Sequence, residues 1–190
     1  VLNHDGTQIA MYTTSLGAWP QWSVVPVAGG TARVLPNVVS WPAALPKVEL
    51  TTLGELRMNA AIVRPTTPRV SFARKLAVID AAYGGPHVNL VVESALAYVR
   101  AQWVADATGA IVVTVDGRGT PRRGKAWERA LSGHLGEVPL TDHADAMRAI
   151  GDVVKDADTA RVGIYGWSFG GYLSAMAAVP KKSPSLPRPE

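Results

Sequence analysis

The sequence predicts an α/β protein: a parallel sheet with crossover helices, preceded by a short antiparallel β segment. Three observations carry that expectation. The first 45 or so residues hold the turn pairs Asp5-Gly6 and Gly29-Gly30 beside short alternating runs, as a meander requires. From residue 76 onward, apolar β-branched runs alternate with segments of helical spacing, which is the pattern of strands joined by crossover helices. With 47% of its 190 residues hydrophobic, the chain has enough apolar material to bury a core beneath such a sheet.

Along the chain, HDGTQIAMYTT and QWSVVPVAGGTARVL read as the meander, and prolines 36, 42 and 46 mark a connection. VELTTLGELRMNAAIVRP, residues 48 to 65, reads as a hairpin turning at Leu53, Gly54 and Glu55. Leu76 to Asp80 is a buried-strand candidate. Residues 89 to 108 carry Val92, Leu96, Val99 and Trp103 at helical spacing, which predicts a helix buried on that face and stopped by Gly109. Ala110 to Val115 is a second strand. A long polar loop then leads to a helix opened by Thr141 or Asp142, with Met147, Ile150 and Val154 on one face. Arg161 to Tyr165 is the third strand. The expected division is therefore residues 1–47 as a terminal β segment and linker, 48–180 as the α/β unit, and 181–190 as a disordered tail.

Composition excludes several classes. There is no cysteine, hence no disulfide scaffold, thiolate metal site or cysteine nucleophile. The net charge is +4, but Lys and Arg are spread singly apart from Arg122, Arg123 and Lys125 in one loop and Lys181 and Lys182 in the tail. That argues for a solvated surface rather than a nucleic-acid stripe. No window approaches a membrane-spanning length of apolar residues. DGRGTPRRG lacks both the GK[ST] ending and the G-x-G-x-x-G spacing, so neither a nucleotide nor any other cofactor is expected, and no metal-ligand cluster is present.

The chemistry sits in RVGIYGWSFGGYLSAM, residues 161 to 176, where Gly166-Trp167-Ser168-Phe169-Gly170 fits G-x-S-x-G. A serine at the tip of a sharp strand-to-helix turn needs strained backbone angles, and the residues two places either side approach too closely to carry a Cβ. The helix that follows directs amide N–H groups and its positive end at the reaction centre. Gly171 is expected to allow close packing of the helix start against the sheet.

Four blocks in order, YGGPH at 83–87, VDGRGTPRRGKAWERAL at 115–131, LGEVPLTDHADAMRAI at 135–150 and RVGIYGWSFGGYLSAM at 161–176, resemble the prolyl oligopeptidase family of serine peptidases, in its dipeptidyl peptidase IV-like branch. The resemblance implies a partial α/β-hydrolase fold over residues 48–180 and a meander similar to the end of a β-propeller. It also implies Ser168 as the acyl-forming nucleophile, with the Tyr83 hydroxyl and the Phe169 backbone N–H as donors to the oxyanion. Phe169 departs from the family pattern, which has tyrosine there, and Asp80 lies one residue further from Tyr83 than the pattern leads one to expect. The implied activity is hydrolysis of short peptides, proline-containing ones among them. An esterase or acylaminoacyl peptidase on the same fold and a non-catalytic truncated product are the alternatives.

After Ser168 the sequence holds no Asp and no His, and Glu190 is the only acidic residue. In this fold the acid and the base follow the nucleophile in the chain. His4, His87, His134 and His143 all precede it, and His87 is the only one expected near the site, with a base role not expected for it. The expectation is a piece of a longer peptidase, cut at both ends and inactive alone. The sequence opens at Val1 without an initiator methionine, so a signal peptide is not assessable from it, and a cytoplasmic location is expected.

Overall fold

The computed structural model describes residues 1–67 and 75–179; the expected tail, 181–190, lies outside the described residues. The meander forms β1 (Gln8–Thr13), β2 (Gln21–Pro26) and the two-residue β3 (Arg33–Val34), paired antiparallel in that order. Its strands are largely exposed, and aromatic pairs supply much of its packing: Tyr12 lies against Trp22 at 4.9 Å and Trp19 stacks on Trp41 at 5.4 Å between ring centres. Thr14 Oγ donates to the Glu93 carbonyl and the Ala95 N–H to the Ser15 carbonyl, tying this sheet to the rest of the chain.

The second sheet has five strands in the order β4-β5-β7-β6-β8, with β4 Val48–Leu53, β5 Met58–Val63, β6 Leu76–Ala82, β7 Ile111–Asp116 and β8 Ala157–Gly166. The hairpin β4–β5 joins antiparallel, whereas β7, β6 and β8 are mutually parallel. This is the α/β arrangement expected from the sequence: a partial α/β-hydrolase fold behind a short antiparallel sheet. The alternation of side chains along each strand builds two cores. Leu53, Ile62, Val78, Ile111 and Val113 face α3 (Glu137–Val153), and Ala61, Val63 and Val112 face α1 (Val99–Thr108). Burying each such aliphatic side chain contributes about 1.5–3 kcal/mol, so the central strands are the most firmly held part of the molecule.

Two helices differ from expectation. The helix predicted from residue 89 begins only with a short 3-10 turn, Ala95–Tyr98, that runs into α1. Residues 89–92 are captured instead by buried acceptors: the Asp116 carboxylate takes the Asn89 side chain and the Leu90 and Val91 N–H groups, and the Val92 N–H donates to the Tyr98 hydroxyl. Side-chain acceptors that satisfy backbone donors remove the reason to coil. The buried stripe also differs, being Ala95, Tyr98, Ala101 and Ala105, while Trp103 is 69% exposed. Small residues let the helix approach the sheet closely, so the large apolar residues at helical spacing were a misleading guide.

Helix α3 starts at Glu137, four residues before Thr141. Pro139 sits in its first turn, where a missing N–H costs nothing. Asp142 therefore does not cap the helix. It is fully buried, and its carboxylate accepts from the Arg118 guanidinium and the Arg118 N–H. His143 moves with it from the expected first turn into the second. The polar loop before α3 contains a short α2 (Lys125–Arg129) and is pinned rather than free. Arg123 stacks on Trp127 at 3.8 Å and donates to the Arg57 and Leu56 carbonyls, and Trp127 Nε1 donates to the Gly117 carbonyl. Among the described residues no helix is long and apolar enough to cross a membrane.

Candidate active site

Strand β8 ends at Gly166, and α4 (Phe169–Ala178) starts three residues later. Ser168 lies between them with φ +55° and ψ −120°, a conformation that costs an L-residue about 1–3 kcal/mol. The turn is this tight because nothing separates its limbs. A Cβ on Gly166 would collide with the Gly170 carbonyl and come within 2.6 Å of the Ala82 oxygen, and one on Gly170 would strike that same oxygen. Both glycines of G-x-S-x-G are thus demanded by the backbone on either side. Gly171 is not: a Cβ there would meet only the Gly166 oxygen at an ordinary 3.5 Å. The close packing expected at Gly171 belongs to Gly170.

Ser168 is exposed, and its hydroxyl makes no hydrogen bond among the described residues. The Ser168 carbonyl accepts from the Gly171 and Tyr172 N–H groups, and the Gly170 N–H donates to the Trp167 carbonyl. The Phe169 N–H, at the first position of α4, has no acceptor among the described residues, as expected for an orphan donor at a helix start. Strand β6 delivers the other sequence-predicted residue: it ends at Ala82, paired with Gly166, so Tyr83 emerges directly beside the serine turn. The Tyr83 and Phe169 rings are 6.3 Å apart, and Phe169 packs edge-on against Tyr172 at 5.4 Å. Ser168, Tyr83 and Phe169 are therefore brought together at the carboxyl ends of parallel strands, where open α/β sheets bind ligands. A cavity of about 370 Å³ opens next to them, lined by Tyr83, Leu90, Tyr98, Tyr165 and Trp167. A larger one of about 730 Å³ lies away from the turn, between the β4–β5 hairpin and α3.

The histidines separate into different environments. His4, His87 and His134 are exposed, and His87 has a left-handed φ of +66° with its N–H bonded to the Gly119 carbonyl. His143 is buried, with Nδ1 at 2.7 Å from Oδ2 of the equally buried Asp80. No histidine is hydrogen-bonded to Ser168 among the described residues. Sequence reasoning passed over the Asp80–His143 pair, although two signals were legible. His143 shares its helix face with Met147, Ile150 and Val154, and Asp80 sits at the end of an apolar strand run. A polar residue in either setting needs a partner.

Burial alone would lower the His143 pKa, but the Asp80 charge and hydrogen bond, with smaller help from Asp142 and Asp116, raise it above the ordinary value. A folded value above the unfolded one means that the protonated imidazole favours folding. That contribution is complete below pH ~6.5 and is lost as pH climbs through the folded value. Denaturant melts at pH values rising from about 6.5 should therefore show a falling stability that His143→Gln flattens; an unchanged slope in the variant would exclude the pair as its source.

With this geometry in view, the comparisons with known proteins agree. Residues 95–184 match the prolyl oligopeptidase family. The chain is 38% identical to dipeptidyl peptidase 8 of Mus musculus over 97 residues, half of this chain and 11% of that protein. It is 33% identical to prolyl endopeptidase FAP of Mus musculus over 135 residues, covering 70% of this chain and 17% of that one. The crystal structure of Porphyromonas gingivalis dipeptidyl peptidase 4 superposes on 93% of this chain with a TM-score of 0.75 at 26% identity, covering 26% of its own length. This chain thus spans between a tenth and a sixth of these curated relatives and about a quarter of the solved structure. Motif order, fold and matched span lead to one assignment, made for the matched segment: residues 95–184 of this chain are of the prolyl oligopeptidase family.

Proposed function

We propose that this chain carries the nucleophile and the oxyanion donors of a serine peptidase acting on short peptides, with proline-containing ones preferred. The observation that carries the proposal is the strained, exposed Ser168 between a parallel strand and a helix start, flanked by the Tyr83 ring and by the Phe169 N–H, which has no acceptor among the described residues. In the reaction the Ser168 Oγ forms a bond to the scissile carbonyl carbon and gives up its proton to a base. The carbonyl oxygen becomes an oxyanion held by the Tyr83 hydroxyl and the Phe169 N–H. Collapse breaks the C–N bond, the amine leaves with a proton, and water hydrolyses the acyl-serine. The names of the relatives, dipeptidyl peptidase and prolyl endopeptidase, support peptides and proline as the substrate chemistry.

His143 is committed to Asp80, and no histidine is hydrogen-bonded to Ser168 among the described residues. The proposal therefore includes the expectation that the 190-residue chain alone turns over no substrate: an unassisted serine hydroxyl is a weak nucleophile at neutral pH.

The test uses the protein expressed from its complete coding sequence. A fluorophosphonate probe should label Ser168, located by peptide mass spectrometry, and Gly-Pro chromogenic substrates should be cleaved faster than acetyl-alanyl or butyryl ester ones. Labelling elsewhere would end the proposal, and faster cleavage of the acetyl-alanyl or butyryl substrates would move it to an acylaminoacyl peptidase or an esterase. Tyr83→Phe should lower kcat about 10²–10³-fold with little change in KM, the usual effect of losing one oxyanion donor. Steady-state kinetics on the same substrates measure it, and a KM effect with kcat intact would assign Tyr83 to binding instead.

A further inference from the structure

Beneath the Tyr83–Gly85 stretch, the Asp80–His143 pair leaves two buried atoms unpartnered among the described residues, Asp80 Oδ1 and His143 Nε2. Both residues are 2% exposed. A buried polar atom without a partner is costly, on the order of 1–3 kcal/mol, so its retention calls for an explanation that packing alone does not supply. The surroundings of Nε2 give one. A Cβ built on Gly84, where φ is +66°, would lie 3.6 Å from Nε2, 2.7 Å from Leu173 Cδ2 and 2.9 Å from Pro139 Cβ. The imidazole thus abuts Gly84 from below, together with one residue from α4 and one from α3. A Cβ on the next residue, Gly85, would lie 2.8 Å from the Tyr83 ring and 3.1 Å from the Phe169 ring. Tyr83, Gly84 and Gly85 therefore form a closely packed stretch at the end of β6, set against the Phe169 ring on one side and the His143 imidazole on the other.

We propose that His143, fixed by Asp80, is a positioning residue: it supports Gly84 from beneath and so sets where Tyr83 stands relative to Ser168. Asp80 is two residues from Ala82 on the strand that carries Tyr83, and His143 is four residues from Pro139 on the helix that also packs against Gly84. The pair thus links strand β6 to helix α3 at the height of the candidate site. The charged groups bearing on His143 are Asp80 from β6, Asp142 from α3 and Asp116 from β7; Arg118 neutralises Asp142 by a direct ion pair. Losing the imidazolium proton would leave three buried carboxylates facing one guanidinium, and the stretch would loosen. The site is thereby sensitive to pH through a group that never touches substrate. The consequence for catalysis rests on the peptidase proposal above; the mechanical coupling does not.

The experiment follows imidazole and backbone resonances of the full chain by heteronuclear NMR from pH 5 to pH 10. The His143 ring and the Gly84 and Gly85 amides should titrate with one shared midpoint, above the ordinary imidazole value of about 6.5. In His143→Gln the amide inflections should vanish while those of exposed loops persist. Asp80→Asn, which keeps a hydrogen-bonding partner but removes the charge, should move the His143 midpoint down and carry the Gly84 and Gly85 inflections with it. Amides that show no inflection at the His143 midpoint, or that keep it unmoved in Asp80→Asn, overturn the proposal. Should His143→Gln fail to fold, the wild-type and Asp80→Asn titrations still decide. Failure of Ser168 to react with the fluorophosphonate probe while the shared inflection persists would remove the peptidase proposal and leave this one standing.

Discussion

Replacing Ser168 by alanine is expected to lower the kcat of the protein expressed from its complete coding sequence by about six orders of magnitude, the cost of removing the nucleophile from a serine-peptidase site. The fold should be indifferent to the change. The Ser168 side chain is exposed and makes no capping bond, and alanine meets the φ of +55° with the same Cβ as serine. The strain of about 1–3 kcal/mol is therefore present in both proteins and cancels in the comparison. Steady-state hydrolysis should collapse while the thermal midpoint stays within a degree or two of wild type. Retained turnover in Ser168→Ala would mean that another group attacks the substrate, whatever the turn looks like. A collapse accompanied by a large loss of stability would assign the hydroxyl a structural part that its present surroundings do not show.

How much of this was legible in the sequence depends on which force decides each feature. Strand β7 was readable because burial on both faces imposes a near-continuous apolar run, Ile111 to Val115, which few other structures tolerate. The serine turn was readable because its glycines are imposed by backbone collision, a local demand that leaves a fixed spacing. Helix starts were less readable, because a distant side chain decided them. Asp116 holds residues 89–91 in hydrogen bonds from the end of β7, and no local pattern in that stretch announces it. Asp142 looked like a helix cap because carboxylates favour that position, but its partner, Arg118, is 24 residues away. The same holds for Asp80 and His143, separated by 63 residues. Local geometry writes itself into adjacent residues, whereas buried charge pairs are settled by topology.

The two glycines at the start of α4 offer the sharpest separation of local demand from helix propensity. Gly170→Ala should cost about 3 kcal/mol or more, at or beyond the upper end of the usual overpacking range, because its Cβ would strike the Ala82 oxygen. That oxygen cannot retreat cheaply. Ala82 ends β6, which is held by β7 on one side and by β8 on the other, and its register partner on β8 is Gly166, itself in contact with Gly170. Relief must therefore come from α4 lifting off the sheet, which would draw the Phe169 N–H and Ser168 away from Tyr83 and abolish fluorophosphonate labelling along with stability. One residue on, Gly171→Ala adds a methyl group at ordinary contact distance and exchanges a poor helix former for the best one, worth up to about 1 kcal/mol in its favour. Chemical denaturation of the two variants should show opposite signs, with labelling retained only in Gly171→Ala. Equal losses at both positions would mean that the whole helix start, rather than the single approach of Gly170 to Ala82, sets the geometry at Ser168.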